Sequence, residues 1–103
     1  MASITGWAHT PFGKLTDKTV EALIGDVANE AIEKAGLSVD QIDAVCLGTF
    51  NAGLVRQDFI GSLVSSAVPE LRHVPATRYE NACATGSAAI HGALDRIAAG
   101  KAR

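Results

Sequence analysis

The residues best suited to chemistry surround a cysteine, Cys83, in the sequence Glu-Asn-Ala-Cys-Ala-Thr-Gly-Ser at positions 80–87. The stretch 75–79 before it is typical of a strand, and the proline-free, alanine-rich stretch 84–99 after it predicts a helix. We therefore expect Cys83 at a helix N-terminus, where unpaired backbone N–H groups and the positive end of the helix dipole favour a thiolate over a thiol. A cysteine so placed is a candidate nucleophile for covalent catalysis.

The alternative interpretation of Cys83 is a small buried hydrophobe, since free cysteine is among the residue types most often found in protein interiors. The neighbours favour the catalytic interpretation, because every residue from 82 to 87 is small and leaves the thiol open to a substrate. The other cysteine, Cys46, lies inside the apolar run 44–47, which is typical of a core strand.

The elements that must position this cysteine alternate along the chain. Strands are predicted at 4–9, 42–50 and 75–79, helices at 20–35, 57–68 and 84–99, and a loop at 51–56. The first helix keeps an unbroken i, i+3, i+4, i+7 apolar spacing, with Asp17 or Thr19 as N-cap and Gly36 as its stop. Ser38 and Gln41 have capping-box spacing, which predicts one further helical turn.

The order β-α-β-α-β-α predicts an α/β fold with right-handed crossovers and a mainly parallel sheet. A length of 103 residues suits a single domain. The strand before Cys83, at 75–80, would offer unpaired edge groups to a neighbour, and three helices cannot cover both faces of a three-stranded sheet. We therefore expect this chain to contact a second copy of itself or further protein.

The segment 80–89, Glu-Asn-Ala-Cys-Ala-Thr-Gly-Ser-Ala-Ala, with a helix ending in Ala-Ala-Gly-Lys-Ala, resembles the nucleophile segment of the thiolases. The sterol-carrier-protein type, which is similar to acetyl-CoA acetyltransferases, gives the nearest likeness. The resemblance also includes the Thr-Pro-Phe-Gly-Lys turn at 10–14, the Ala-Gly-Leu helix stop at 35–37 and the Ile-Asp-Ala-Val strand at 42–45. Thr85 stands where many thiolases carry serine.

The resemblance implies a layered αβαβα fold, of which this chain would be a β-α-β-α-β-α portion of the N-terminal half. It implies that Cys83 is the catalytic residue that accepts an acyl group from acyl-CoA, so coenzyme A enters as a substrate thioester and no cofactor is required. It also implies that the strand before Cys83 lies at a homodimer interface. Substrate-binding residues are not indicated by the sequence.

Two further thiolase motifs do not occur in this chain. The family carries a histidine in Gly-His-Pro and a second cysteine in Cys-x-Gly, whereas His9, His73 and His91 all have other neighbours. His91 and Cys83 would lie about 12 Å apart along one helix, too far for a catalytic dyad. We therefore expect residues 1–103 to be the N-terminal part of a longer enzyme, with the base supplied from elsewhere.

Two other functions share these features. A noncatalytic scaffold with a condensing-enzyme fold would keep Cys83 only for packing. A ketoacyl synthase also has a cysteine at a helix N-terminus, but its flanking residues usually differ, so the context at 80–83 favours a thiolase. A glycine-containing run at 48–53 resembles a phosphate loop but lacks the lysine that would hold a nucleotide.

Charge and composition exclude several other classes. A net charge of −2 and a pI near 5.8 give no general attraction to nucleic acid. No apolar run approaches the roughly 18 residues of a membrane span, and the N-terminus does not resemble a signal peptide. No residues have zinc-ligand spacing, so no metal is expected. Two cysteines in unlike settings predict no disulfide, and we expect a reducing, cytoplasmic location.

Overall fold

The computed structural model of the protein describes residues 1–50 and 58–103. The helices in these residues are α1 (Val20–Lys34), α2 (Leu63–Ala67) and α3 (Thr85–Ala98), and the strands are β1 (Val45–Gly48) and β2 (Ala76–Tyr79). Short 3₁₀ turns occupy Val39–Gln41, Ile60–Ser62, Pro69–Leu71 and Ala82–Ala84. The strands are parallel, with Val45 opposite Ala76 and Gly48 opposite Tyr79. The expected α/β class and parallel pairing are confirmed.

Helix α1 begins and ends at the residues that its sequence predicts. The Thr19 hydroxyl accepts a hydrogen bond from the Ala22 N–H at 3.1 Å, so Thr19 is the N-cap. After the helix, Gly36 has a φ of +68°, a left-handed conformation that glycine adopts without steric cost. The predicted capping box also forms, since the Ser38 N–H donates to Gln41 Oε1 at 2.9 Å.

The two faces of the sheet are covered by different helices. Val45 and Leu47 of β1 pack against the buried core of Val64, Val68 and Leu71, which α1 also contacts. On the opposite face, Arg96 of α3 donates from Nη2 to the hydroxyl of Thr77 in β2 at 2.7 Å. The sheet therefore separates α1 and α2 from α3, the helix that follows the cysteine.

The predicted strand at 4–9 is not formed. Residues 4–9 have no regular structure, and the Gly6 backbone lies so close to the backbone of Ala31 and Ala35 that a side chain would collide with α1. Trp7 stacks on His9 with 5.5 Å between ring centroids, and the Lys34 ammonium lies 5.3 Å above the Trp7 ring. Contacts with α1 thus hold this segment in place of strand pairing.

The second predicted helix, 57–68, is shorter than expected. Phe59 has a φ of +56°, a left-handed conformation that no α-helix contains, so helical structure begins only at Ile60. Its end is confirmed, since α2 stops before Pro69, whose ring restricts the residue preceding it. Residue 57 and the loop predicted at 51–56 lie outside the described residues.

The strand predicted at 42–50 is limited to Val45–Gly48, and residue 42 is the C-cap of the preceding 3₁₀ turn. An open apolar groove of about 730 Å³ lies between α1 and this strand, lined by both elements. The apolar residues of the groove include Leu23, Val27, Ile32, Val45 and Leu47. Within residues 1–50 and 58–103, each strand of the two-stranded sheet pairs with its neighbour along one edge only.

Candidate functional site

Cys83 lies in the turn that joins the sheet to α3. Strand β2 ends at Tyr79, the 3₁₀ turn Ala82–Ala84 follows, and α3 begins at Thr85. The Cys83 thiol is free and exposed to solvent. The side chains of Ala82 and Ala84 on either side are methyl groups, so they do not shield the sulfur. The structure therefore places Cys83 directly before a helix, as the sequence predicts, and in an accessible position.

The backbone on the N-terminal side of Cys83 is held by two side chains. The Thr85 hydroxyl accepts a hydrogen bond from the Asn81 N–H at 2.8 Å and donates one to the Ala82 carbonyl at 2.7 Å. A carboxylate oxygen of Glu80 accepts the Ala82 N–H at 2.7 Å. These bonds compensate for the left-handed conformation of Ala82, whose φ is +43°. Cys83 thus follows a residue in a restricted conformation that its neighbours stabilise.

The end of β1 packs against Thr85, which holds the same turn. Thr85 is 7% exposed, and its methyl group and carbonyl face Gly48, the last residue of β1. A Cβ at Gly48 would lie 2.8 Å from Thr85 Cγ2, a separation that side chains do not tolerate. Glycine at this position therefore allows the first turn of α3 to approach the sheet. The space at Gly86, in contrast, is open, with no described heavy atom within 4 Å of a Cβ placed there.

Further along α3, two contacts fix the helix on the sheet. Gly92 is buried directly against the ring of Tyr79, with no room for a Cβ. Arg96 reaches Thr77 through Nη2, while its Nε is buried and has no partner among the described residues. Glycine at position 92 lets the backbone of α3 approach an aromatic ring, which is one reason why this helix carries small residues.

The other residues considered from the sequence do not join Cys83 in a site. Cys46 is half-buried in β1, and His91 is exposed on α3. His9 is exposed, and its Nδ1 lies 2.8 Å from the Thr10 carbonyl, while His73 is an exposed residue between Leu71 and β2. Within residues 1–50 and 58–103, no group of three or more His, Cys, Asp or Glu side chains is arranged to hold a metal ion.

Sequence reasoning did not identify Thr85, Gly48 or Glu80 as supports of the cysteine turn. Gly48 was considered only as part of a phosphate-loop pattern, of which the part at 51–53 lies outside the described residues. A buried threonine two residues after a candidate nucleophile gave a weak signal, because the partner that buries it comes from a different element.

These features define an α/β protein with an exposed cysteine between a strand of a parallel sheet and a helix. The family model of the thiolase N-terminal domain matches residues 2–103, so the chain belongs to the thiolase N-terminal domain family. This family assignment confirms the resemblance seen in the sequence. None of the helices in the described residues is both long and apolar enough to span a bilayer.

Two curated proteins are similar to this chain over nearly its whole length. It is 37% identical over 99 residues to an acetyl-CoA acetyltransferase of Methanocaldococcus jannaschii, covering 95% of this chain and 25% of that protein. It is 34% identical over 99 residues to an acetyl-CoA acetyltransferase of Methanothermobacter thermautotrophicus, covering 95% of this chain and 26% of that protein. The chain therefore spans about a quarter of the length of these relatives.

Proposed function

We propose that the protein takes part in acyl transfer from coenzyme A thioesters, with Cys83 as the nucleophile that carries the acyl group. The observation that carries this proposal is the exposed Cys83 thiol in the turn before α3, in a chain of the thiolase N-terminal domain family. The names of the two relatives support acetyl-CoA as the first substrate to test. The same names make acetyl transfer the reaction class to assay.

The chemical step is a thioester exchange. The Cys83 sulfur attacks the carbonyl carbon of acyl-CoA, a new sulfur–carbon bond forms, and the bond to the coenzyme A sulfur breaks. The proton of the Cys83 thiol ends on the departing coenzyme A thiol, so atoms and charge balance. The acyl-enzyme is a thioester and remains reactive toward a second nucleophile. The carbon–carbon bond-forming or bond-cleaving step of a thiolase would then follow from this intermediate.

The backbone next to the sulfur also has a role in this proposal. The backbone N–H of Cys83 would donate to the oxygen of the tetrahedral intermediate, since a backbone donor held in a fixed turn needs no reorganisation as charge develops. This role is supported by the hydrogen bonds that hold Ala82, the residue just before Cys83: its N–H donates to Glu80 and its carbonyl accepts from the Thr85 hydroxyl. The base and the histidine of the second half-reaction would come from sequence beyond this chain, which spans a quarter of its relatives.

The test is acylation of the full-length protein by acetyl-CoA, followed by mass mapping of the adduct. We expect an acetyl group on Cys83 in the wild type, and Cys83→Ser should lower turnover by roughly 10³-fold or more because a serine hydroxyl is scarcely ionised. Cys46→Ser is the matched control, because it removes the other thiol, in β1, and should keep both acetylation and turnover. Near-normal turnover in Cys83→Ser would refute the assignment of Cys83 as the nucleophile.

We also propose that β2 meets a second copy of the chain or the remainder of the enzyme. Its support is the outer edge of this short strand, which pairs with no further strand in the described residues and where Arg78 and the adjoining Glu80 are both exposed. Gly61 of the 3₁₀ turn Ile60–Ser62 lies beside part of this edge. The apolar groove beside β1 supports a further covering layer. Light scattering of the isolated chain should show oligomers, with slow amide exchange across residues 75–81. A monomer whose amides exchange freely there would contradict this part of the proposal.

A further inference from the structure

We propose that Thr85 is a positioning residue for Cys83, and that packing against Gly48 fixes the rotamer of the Thr85 side chain. This inference rests on the proposed function, because it concerns how the nucleophile is held. Thr85 does not touch the reacting atoms. It acts through the backbone of Asn81 and Ala82, the residues that lead into Cys83.

The hydroxyl of Thr85 both donates and accepts a hydrogen bond within the turn. It has one proton and accepts through its lone pairs, and the structure gives both roles a partner in the backbone. Most helix-terminal threonines accept from the residues that follow them, as Thr19 does from Ala22. Thr85 instead bonds backwards to Asn81 and Ala82, on the other side of Cys83. The first turn of α3 is thereby tied to the residues before the nucleophile.

The methyl group of Thr85 has a separate task. It is packed against Gly48 at the end of β1, so the side chain cannot rotate away from the turn without losing its place on the sheet. The two substituents on Cβ therefore divide the work between the hydroxyl, which holds the turn, and the methyl group, which holds the rotamer. Serine would keep the hydroxyl with a freer rotamer, and valine would keep the shape without the hydrogen bonds.

The experiment separates the roles of the Thr85 hydroxyl and methyl group, and it uses the full-length protein with acetyl-CoA. Thr85→Val should lower kcat roughly tenfold or more with KM within about twofold, and should speed amide exchange of Asn81 by roughly tenfold. Thr85→Ser should retain kcat within about threefold of the wild type. Thr19→Val, at the start of α1, is the matched control and should change neither kcat nor the exchange of Asn81.

Several outcomes would overturn the proposal. One is wild-type kcat and Asn81 exchange in Thr85→Val, and another is a Thr85→Ser variant as impaired as Thr85→Val. If Thr85→Val does not fold, Thr85→Ala replaces it, and the proposal then requires Thr85→Ser to be the more active of the two. Faster Asn81 exchange in Thr85→Val together with retained turnover in Cys83→Ser would refute the proposed function, and with it a catalytic purpose for the turn. Faster exchange with lost turnover in both supports the two proposals together.

Discussion

Helices α1 and α3 begin in different ways. At the start of α1, the Thr19 hydroxyl accepts the Ala22 N–H, and the cap is exposed to solvent. At the start of α3, the capping position is Ala84, whose methyl group can accept no hydrogen bond. The threonine there is one residue further on, buried, and bonded backwards to the preceding turn.

The difference shows what each helix start accomplishes. A capping side chain over the first turn satisfies backbone N–H groups and stabilises the helix by about 1 kcal/mol, but it also covers them. The start of α3 has small residues on both sides of Cys83. It is held in place by the side chains of Thr85 and Glu80 and by contact with the end of β1. The start of α1 suits stability, and the start of α3 leaves a defined but uncovered surface beside a thiol.

The largest effect is expected from a substitution that crowds the contact between α3 and the sheet. Gly92→Ala places a methyl group in the ring of Tyr79, and we expect a loss of about 2 kcal/mol in the free energy of unfolding, in spite of the better helix propensity of alanine. Gly25→Ala in α1 is the matched control, because its Cβ would come no closer to Ala67 than 3.3 Å, at the carbonyl oxygen. Urea unfolding of both variants measures the difference, and equal stabilities would show that the ring gives way freely.

The two cysteines should differ in reactivity by roughly tenfold or more, because access to the thiol controls alkylation. Cys83 is exposed before α3, whereas Cys46 is half-buried in β1. A limiting dose of iodoacetamide on the folded protein should therefore label Cys83 first, as mass mapping would show. Equal labelling would remove the contrast between the two sites, and a denatured sample, in which both thiols are accessible, provides the control.

Removing the cap of α1 should cost stability without affecting the cysteine. Thr19→Ala leaves the Ala22 N–H without its side-chain partner, and we expect a loss of about 1 kcal/mol in unfolding free energy. The rate of Cys83 alkylation by iodoacetamide should stay at the wild-type value. A change in that rate would mean that the starts of α1 and α3 are coupled, which the comparison above does not allow.

The smallest effect concerns the pair formed by Arg103, beyond the end of α3, and Asp43, which lies just before β1. Arg103 donates to Asp43 from its backbone N–H at 3.0 Å and from Nε at 3.3 Å, and these hydrogen bonds lower the pKa of the Asp43 carboxyl. The lowered pKa stabilises the fold at pH values above the usual aspartate range, and this contribution is lost as the pH falls through the folded-state pKa. Because the pair is exposed, Asp43→Asn should shift the unfolding midpoint at pH 7 only slightly, and the shift should vanish in acid.

Local patterns predict the parts of this fold that local interactions determine. The limits of α1, its Thr19 cap and the Ser38–Gln41 capping box all follow from residues within one helical turn of each other. The stop of α2 before Pro69 has a similarly local cause. The position of Cys83 before a helix was predictable for the same reason, since the alanine-rich stretch begins directly after it.

The features that escaped prediction depend on contacts between distant elements. The segment 4–9 has the composition of a strand but packs on α1, and the left-handed conformation of Phe59 shortens the helix predicted at 57–68. The support of the cysteine turn combines Thr85 with Gly48, which belongs to another strand. A sequence pattern gives no register between such elements, so it cannot show that a glycine at the end of one strand makes room for a threonine after another.

The contact between Gly48 and Thr85 also bears on when the cysteine turn matures during folding. Helix formation takes less than about a microsecond, whereas pairing two parallel strands across a crossover first requires closing a long loop. Helix α3 can thus form before β1 and β2 are paired, but the place that Gly48 leaves for Thr85 exists only after β1 has docked. The cysteine turn is therefore among the late structures to assemble, and its geometry depends on the pairing of β1 with β2.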